Sequence, residues 1–432
     1  MRGYPRRFLA VAAAVLVGLT AAPGVAEAHG RKPYVKVGYF TQWGIYGRDF
    51  PLAKVEKSGA AARLTHLNYA FGPVTAAGVC DSADPWADWQ TPFSAELSVD
   101  GVGDVAGQPI SGNLNQLAEL KRKNPGLRVL ISLGGWTGSA YFSDAALTDA
   151  SRKKLVSSCV DLWIKGNLPG LPAGVAGGIF DGVDLDWEWP GSEGNAGNVI
   201  RPEDKHNFTL LTAEFRRQLD RLSRTTRKHY DLTAFLPAAP AKIDAGFEPK
   251  IFRYLDFGTV QGYDFHGSWE QRTNQQSALH VPKGAPDNPD FSVEVAIEKW
   301  RDLGAPDRKL VLGIPYYGQG WTGATGGGTG LFAPVTGGAP GTFAVGTEDY
   351  KVLKNLPAQG FTVHRDRRAG HTWLFDGTTF WTYDDPAQIA QKTAYIRAQG
   401  LGGAMMWSLD GDDQNASLTR TIAAGLGSPW RH

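Results

Sequence analysis

Eight short apolar runs, most of them followed by a stretch with helical spacing, predict a (β/α)8 TIM barrel for this 432-residue chain. The runs are rich in Val, Ile and Leu without clean alternation, as expected of parallel strands buried on both faces. Between the seventh and eighth runs the pattern changes to Gly-rich turns and short β-like segments, which predicts a small α+β insertion over residues 320–384. An open doubly wound sheet is the competing architecture. No Gly-rich phosphate loop follows the first strand, which counts against it.

In order, the expected strands cover residues 35–40, 64–71, 127–136, 179–187, 230–237, 257–264, 309–316 and 402–408. Helices are expected around 114–123, 151–165 and 415–424, and where Phe208, Leu211, Phe215, Leu219 and Leu222 repeat at helical spacing. Val293, Ile297 and Trp300 mark another helix. Asp385-Pro386 reads as the cap and first turn of a helix that ends at Gly400. Residues 72–112 form a long polar stretch that reads as a loop, and loops of that length are usually functional.

Composition narrows the function. Lys plus Arg number 44 against 43 Asp plus Glu, a net charge of +1, so no basic excess points to nucleic acid. The 14 Trp and 14 Tyr suit stacking on sugar rings, although most such rings fill cores. With two cysteines, Cys80 and Cys159, and no Cys/His cluster at ligand spacing, neither a metal nor a cofactor is expected. The two cysteines leave a disulfide and a buried thiol both open.

The N-terminus reads as a secretion signal. Arg2, Arg6 and Arg7 precede an apolar stretch over 8–19, and Ala26-Glu-Ala28 offers a small-x-small cleavage site. The expected division is a signal peptide over 1–28 and a catalytic barrel over 29–432. No later stretch is apolar enough for a bilayer, so a secreted, extracellular monomer with no membrane partner is expected.

The chemistry gathers in Asp181-Gly-Val-Asp184-Leu-Asp186-Trp-Glu188-Trp-Pro190. Side chains alternate along a strand, so Asp184, Asp186 and Glu188 point to one side and Asp181 falls out of phase. Crowding and partial burial raise carboxyl pKa values, so at least one of the group should hold a proton near neutral pH. Glu188 lies where the strand leaves the sheet, the place for a general acid. A solvated acidic edge fits poorly with the interleaved Val183, Leu185, Trp187 and Trp189. A divalent-cation site is the sharper rival. The strand ends bring together Tyr39, Phe71, Trp136, Glu188, Tyr263, Asp264, Tyr316 and Trp407, rings around carboxylates, as a sugar-cleaving groove requires.

Asp-x-x-Asp-x-Asp-x-Glu, complete here from Asp181 to Glu188, resembles the signature of family 18 glycoside hydrolases, the chitinases and their relatives. Ser132-x-Gly134-Gly135 resembles the family's second signature, and Tyr263-Asp264 the end of its Met-x-Tyr-Asp motif. Gln261 stands where Met is frequent, Gln319 where Arg is common, and Trp189 where Tyr or Phe is usual.

The resemblance implies a substrate-assisted, retaining cleavage of β-1,4 links between N-acetylglucosamine residues. It implies Glu188 as acid and base, Asp186 orienting the acetamido group, Asp184 sharing a proton or hydrogen bond with Asp186, and Tyr263 donating to the acetamido oxygen. Asp264 would support the sugar, and Trp407 would floor the central subsite. Trp136, Tyr39, Phe71 and Tyr316 are the further substrate-binding candidates. The implied partners are chitin and N-acetylglucosamine oligomers. The alternatives are an endo-β-N-acetylglucosaminidase acting on N-glycans and a chitin-binding protein without catalysis.

Overall fold

The computed structural model describes residues 33–286 and 291–427. The predicted signal peptide lies outside the described residues.

Seven strands come first: β1 (Val35–Thr41), β2 (His66–Gly72), β3 (Arg128–Gly134), β4 (Gly182–Asp186), β5 (Asp231–Leu236), β6 (Phe257–Val260) and β7 (Leu310–Pro315). An inserted sheet follows, of β8 (Tyr317–Thr322), β9 (Gly337–Gly338), β10 (Thr347–Asp349), β11 (Thr362–Asp366), β12 (His371–Phe375) and β13 (Phe380–Tyr383). Then comes β14 (Gly403–Trp407), which pairs with both β1 and β7 and closes a parallel barrel. The helices are α1 (Leu52–Lys57), α2 (Gly112–Lys123), α3 (Phe142–Ala146), α4 (Asp149–Cys159), α5 (Asp204–Thr226), α6 (Pro240–Gly246), α7 (Val293–Asp302), α8 (Tyr350–Leu353), α9 (Pro386–Ala398) and α10 (Ser417–Leu426).

Local signals place several of these elements. Phe208, Leu211, Phe215 and Leu219 of α5 are all buried against the barrel. The Asp385 carboxylate accepts the Gln388 amide N–H at 2.9 Å, and Pro386 sits in the first turn of α9, the expected capped start. Ser292 caps α7 in the same way by accepting from the Val295 amide.

Apolar side chains fill two layers. One lies between strands and helices, and holds Val183, Leu185, Phe208 and Trp300 among others. The other lies inside the barrel, where Val37, Tyr39, Phe257, Val311 and Met405 meet. A third cluster, built on Trp321, Trp373, Phe375 and Phe380, belongs to the inserted antiparallel sheet.

Several boundaries differ from the sequence expectation. The acidic strand is shorter than 179–187: β4 spans Gly182–Asp186, and Ile179 and Phe180 are buried before the ladder begins. The inserted sheet begins at Tyr317, ahead of Gly320. The 72–112 stretch is mostly irregular but has a helical turn over Trp86–Gln90. That turn is pinned by Asp88, whose carboxylate accepts from Gln42 Nε2 at 2.5 Å and from the Tyr69 and Ser82 hydroxyls.

The same stretch is tied to α4 by a Cys80–Cys159 disulfide with its Cα atoms 4.9 Å apart, which resolves the choice left open by the sequence. Replacing both cysteines by serine is expected to cost about 2–4 kcal/mol, seen as a lower thermal midpoint in non-reducing buffer. Equal midpoints for parent and variant would contradict that contribution.

Candidate active site

Strand register explains the innermost part of the site. Asp184 on β4 pairs laterally with Ser132 on β3 and Thr233 on β5. Side chains at paired positions share a face, so both hydroxyls reach the Asp184 carboxylate, at 2.8 Å and 2.5 Å. The Tyr39 hydroxyl adds a third bond at 2.6 Å. Burial raises the Asp184 carboxyl above its ordinary value, and the three hydroxyl donors oppose that rise.

Asp186, at the end of β4, is buried, and its Oδ1 has no hydrogen-bond donor. Its carboxyl interacts with that of Glu188, two residues on. Burial lifts Asp186 well above the usual carboxylate range, and the neighbouring Glu188 and Asp184 charges add to the rise. Burial also pushes Glu188 up to about 8; Lys242 opposes the shift and Asp264 adds to it. Asp184 is occupied by hydroxyls, and burial favours the protonated form of both Asp186 and Glu188.

Asp186 and Glu188 line a groove of about 700 Å³ at the carboxyl ends of the strands, together with Tyr39, Phe71, Trp136, Tyr263, Asp264 and Trp407. The Trp407 ring stacks on Phe71 at 5.7 Å and meets Tyr39 edge-on at 5.2 Å. Trp136 and Trp43 leave 49% and 42% of their surface open along the groove, so they have ring faces free for stacking. Asp264 has a left-handed backbone, φ 56°, and its Oδ1 accepts from the Tyr317 hydroxyl at 2.7 Å and from Gln319 Nε2 at 2.9 Å.

Tyr316 is the candidate that the structure moves out of the site. It is fully buried on the outer side of the barrel, where its hydroxyl meets Thr419 Oγ1 at 3.0 Å. The following residue, Tyr317, reaches the site instead, through its hydroxyl bond to Asp264, where the chain passes into β8. Asp181, out of phase as expected, pairs with Lys121 at 2.6 Å and accepts the Val129 amide.

Sequence reasoning also passed over Lys242, which lies 5.3 Å over the Trp189 ring and is the single cation lining the groove among the described residues. Nothing in its local sequence marks it, since α6 carries no motif. For a divalent cation, the His/Cys/Asp/Glu trio with converging ligand atoms among the described residues is His229, Asp231 and Asp256. Asp231 is already engaged by His66 and Arg128, at the opposite end of the strands from the groove.

The model for glycosyl hydrolases family 18 matches residues 35–412. Chitinase C of Streptomyces lividans is 38% identical over 92% of this chain and 59% of its own length. The chain thus spans about three fifths of that curated relative. Among solved structures, the catalytic domain of psychrophilic chitinase B from Arthrobacter TAD20 superposes with a TM-score of 0.87 at 46% identity, covering 92% of this chain and 96% of that one. A mutant of the Ostrinia furnacalis Group II chitinase catalytic domain 2, solved in complex with penta-N-acetylchitooctaose, gives a TM-score of 0.75 at 28% identity, covering 91% of this chain and 96% of that one.

The raised acid has a consequence for stability. Folded Glu188 keeps its proton up to about pH 8, whereas the unfolded chain releases it near the ordinary value of 4.5. The folded state binds more protons between those values, so this group's contribution to stability falls as pH rises through that window. Glu188→Gln removes the loss. Its thermal midpoint should exceed the parent's by a margin that grows from acidic pH to about pH 8. A margin independent of pH would contradict the raised acid.

Proposed function

This chain belongs to family 18 of the glycosyl hydrolases, and from that premise we propose that it is a chitinase acting outside the cell on β-1,4-linked N-acetylglucosamine polymers. The observation that carries this reading is that Asp186 and Glu188 both line a groove walled by aromatic rings. A protonated carboxyl there can donate to a glycosidic oxygen, and the rings can stack on the apolar faces of successive sugars.

The steps follow from the partners of each group. Glu188 gives its proton to the leaving oxygen as the bond to the anomeric carbon breaks. The acetamido carbonyl oxygen of the same sugar attacks that carbon and forms an oxazolinium ion. Asp186, left facing a carboxylate once Glu188 has given up its proton, accepts the acetamido N–H and spreads the positive charge. Asp184 is fixed by its three hydroxyls and adds negative charge behind Asp186. Tyr263 donates to the acetamido oxygen, and Asp264, anchored by Tyr317 and Gln319, holds the sugar. Glu188, now a carboxylate, takes a proton from water, which opens the ring ion with net retention. Trp407, Phe71, Tyr39 and Trp136 bound the sugar-binding surface.

Export is supported by the basic and apolar N-terminal pattern and by a disulfide that suits an oxidising compartment. No described helix is long and apolar enough to cross a membrane. A monomer free of nucleic acid remains part of the same proposal.

Glu188→Gln is expected to lower turnover of chitin oligomers by about 10²–10⁴-fold or more while the fold persists. In the parent, the rate should fall as pH rises through about 8, where the acid loses its proton. Normal turnover in the variant, or a rate that stays level through that range, would overturn the assignment.

A further inference from the structure

Glu188 lies past the last ladder residue of its strand, since β4 ends at Asp186. Its peptide groups therefore lack the sheet hydrogen bonds that fix a strand residue. Two side chains supply them instead. The Ser139 hydroxyl oxygen accepts the Glu188 N–H at 2.9 Å, and Asn198 Nδ2 donates to the Glu188 carbonyl at 2.8 Å. Ser139 comes from the loop after β3, 49 residues before Glu188, and Asn198 from the loop that follows Glu188, 10 residues on.

The two loops are built for close approach. Ser139 is fully buried and donates to the Gly135 carbonyl at 2.8 Å. The Gly135 N–H in turn bonds the Asp186 carbonyl at 2.8 Å. A Cβ on Gly134, whose φ is +109°, would lie 2.3 Å from that same carbonyl oxygen. On the other side, a Cβ on Gly194 would lie 2.1 Å from the Glu188 carbonyl oxygen and 2.9 Å from Asn198 Nδ2. The Val199 N–H bonds the Ala140 carbonyl at 3.3 Å and links the two loops. Buried Asp204, at the start of α5, accepts the Arg201 N–H at 2.8 Å and the Ser143 hydroxyl at 2.6 Å, which fastens the base of both.

We propose that Ser139 and Asn198 are positioning residues for the proton donor. They clamp the peptide groups on either side of the Glu188 Cα and so aim its carboxyl at the scissile oxygen. The inference rests on the reading of Glu188 as the acid. Neither residue needs to touch substrate, so each should act on turnover and leave binding alone.

Asn198 is half-buried on an outer loop and is the residue to change. Asn198→Ala and Asn198→Asp are compared with the parent and with Glu188→Gln on tetra-N-acetylchitotetraose. Both Asn198 variants should lose about tenfold or more in kcat, with KM within about threefold, as misplacement of a reacting group demands. Calorimetry should give the same tetramer affinity for Glu188→Gln and for the double variant Glu188→Gln/Asn198→Ala. If Asn198→Ala fails to fold, Asn198→Asp preserves side-chain size, removes the donor and carries the same test.

An inactive Glu188→Gln beside Asn198 variants with unchanged kcat would overturn this inference alone. So would a loss of affinity in the double variant that matches the loss of rate. An active Glu188→Gln would overturn the reading of the acid, and this inference with it.

Discussion

The fold has to accommodate three carboxyl groups on one face of a buried segment, Asp184, Asp186 and Glu188, without three negative charges. Taking an unpaired carboxylate out of water is costly enough that the group normally takes up a proton or finds donors. Both solutions occur here. Asp184 is surrounded by the hydroxyls of Tyr39, Ser132 and Thr233. Burial raises the carboxyls of Asp186 and Glu188, which favours a proton in that pair. The three carboxyls thus differ in their neighbours, one held by hydroxyls and two driven by burial toward the protonated form.

The barrel makes that division possible. Parallel register places hydroxyls from β3 and β5 at the level of Asp184, and closure through β14 brings Trp407 to the same mouth. The inserted sheet contributes at a distance. Its first strand carries Tyr317 and Gln319, which anchor Asp264 just beyond the end of β6. Arg48, from the loop after β1, bonds Asp349 of β10 and Asp410 beyond Trp407, and so fastens insert, first loop and last strand together.

Much of this is legible in the chain. The acidic run, the aromatic strand ends and the change of pattern after β7 each have a direct signal in residue spacing. Asp181 falls out of the group because strands have a period of two. What is less legible depends on partners far apart in sequence. The adjacent pair Tyr316 and Tyr317 offers no local clue to which ring turns inward, because the chain changes sheet between them. The three hydroxyls around Asp184 come from three different strands, and only register brings them together. The extent of β4 is misread because Ile179, Phe180 and Trp187 are as apolar as strand residues, yet they pack outside the ladder. The Cys80–Cys159 link spans 79 residues, and two cysteines alone do not distinguish a disulfide from separate thiols.

The proposed cleavage turns on an acid that works without a protein nucleophile, the attacking oxygen being carried by the sugar itself. The most direct measurement is cleavage of two oligosaccharides identical except at the ring whose anomeric carbon is attacked, one bearing the 2-acetamido group and the other a 2-hydroxyl. Proton NMR should show the acetamido compound cut with the β-anomer appearing first and the hydroxyl compound left intact at that bond. Equal cleavage of both, or an α-anomer formed first, would contradict it.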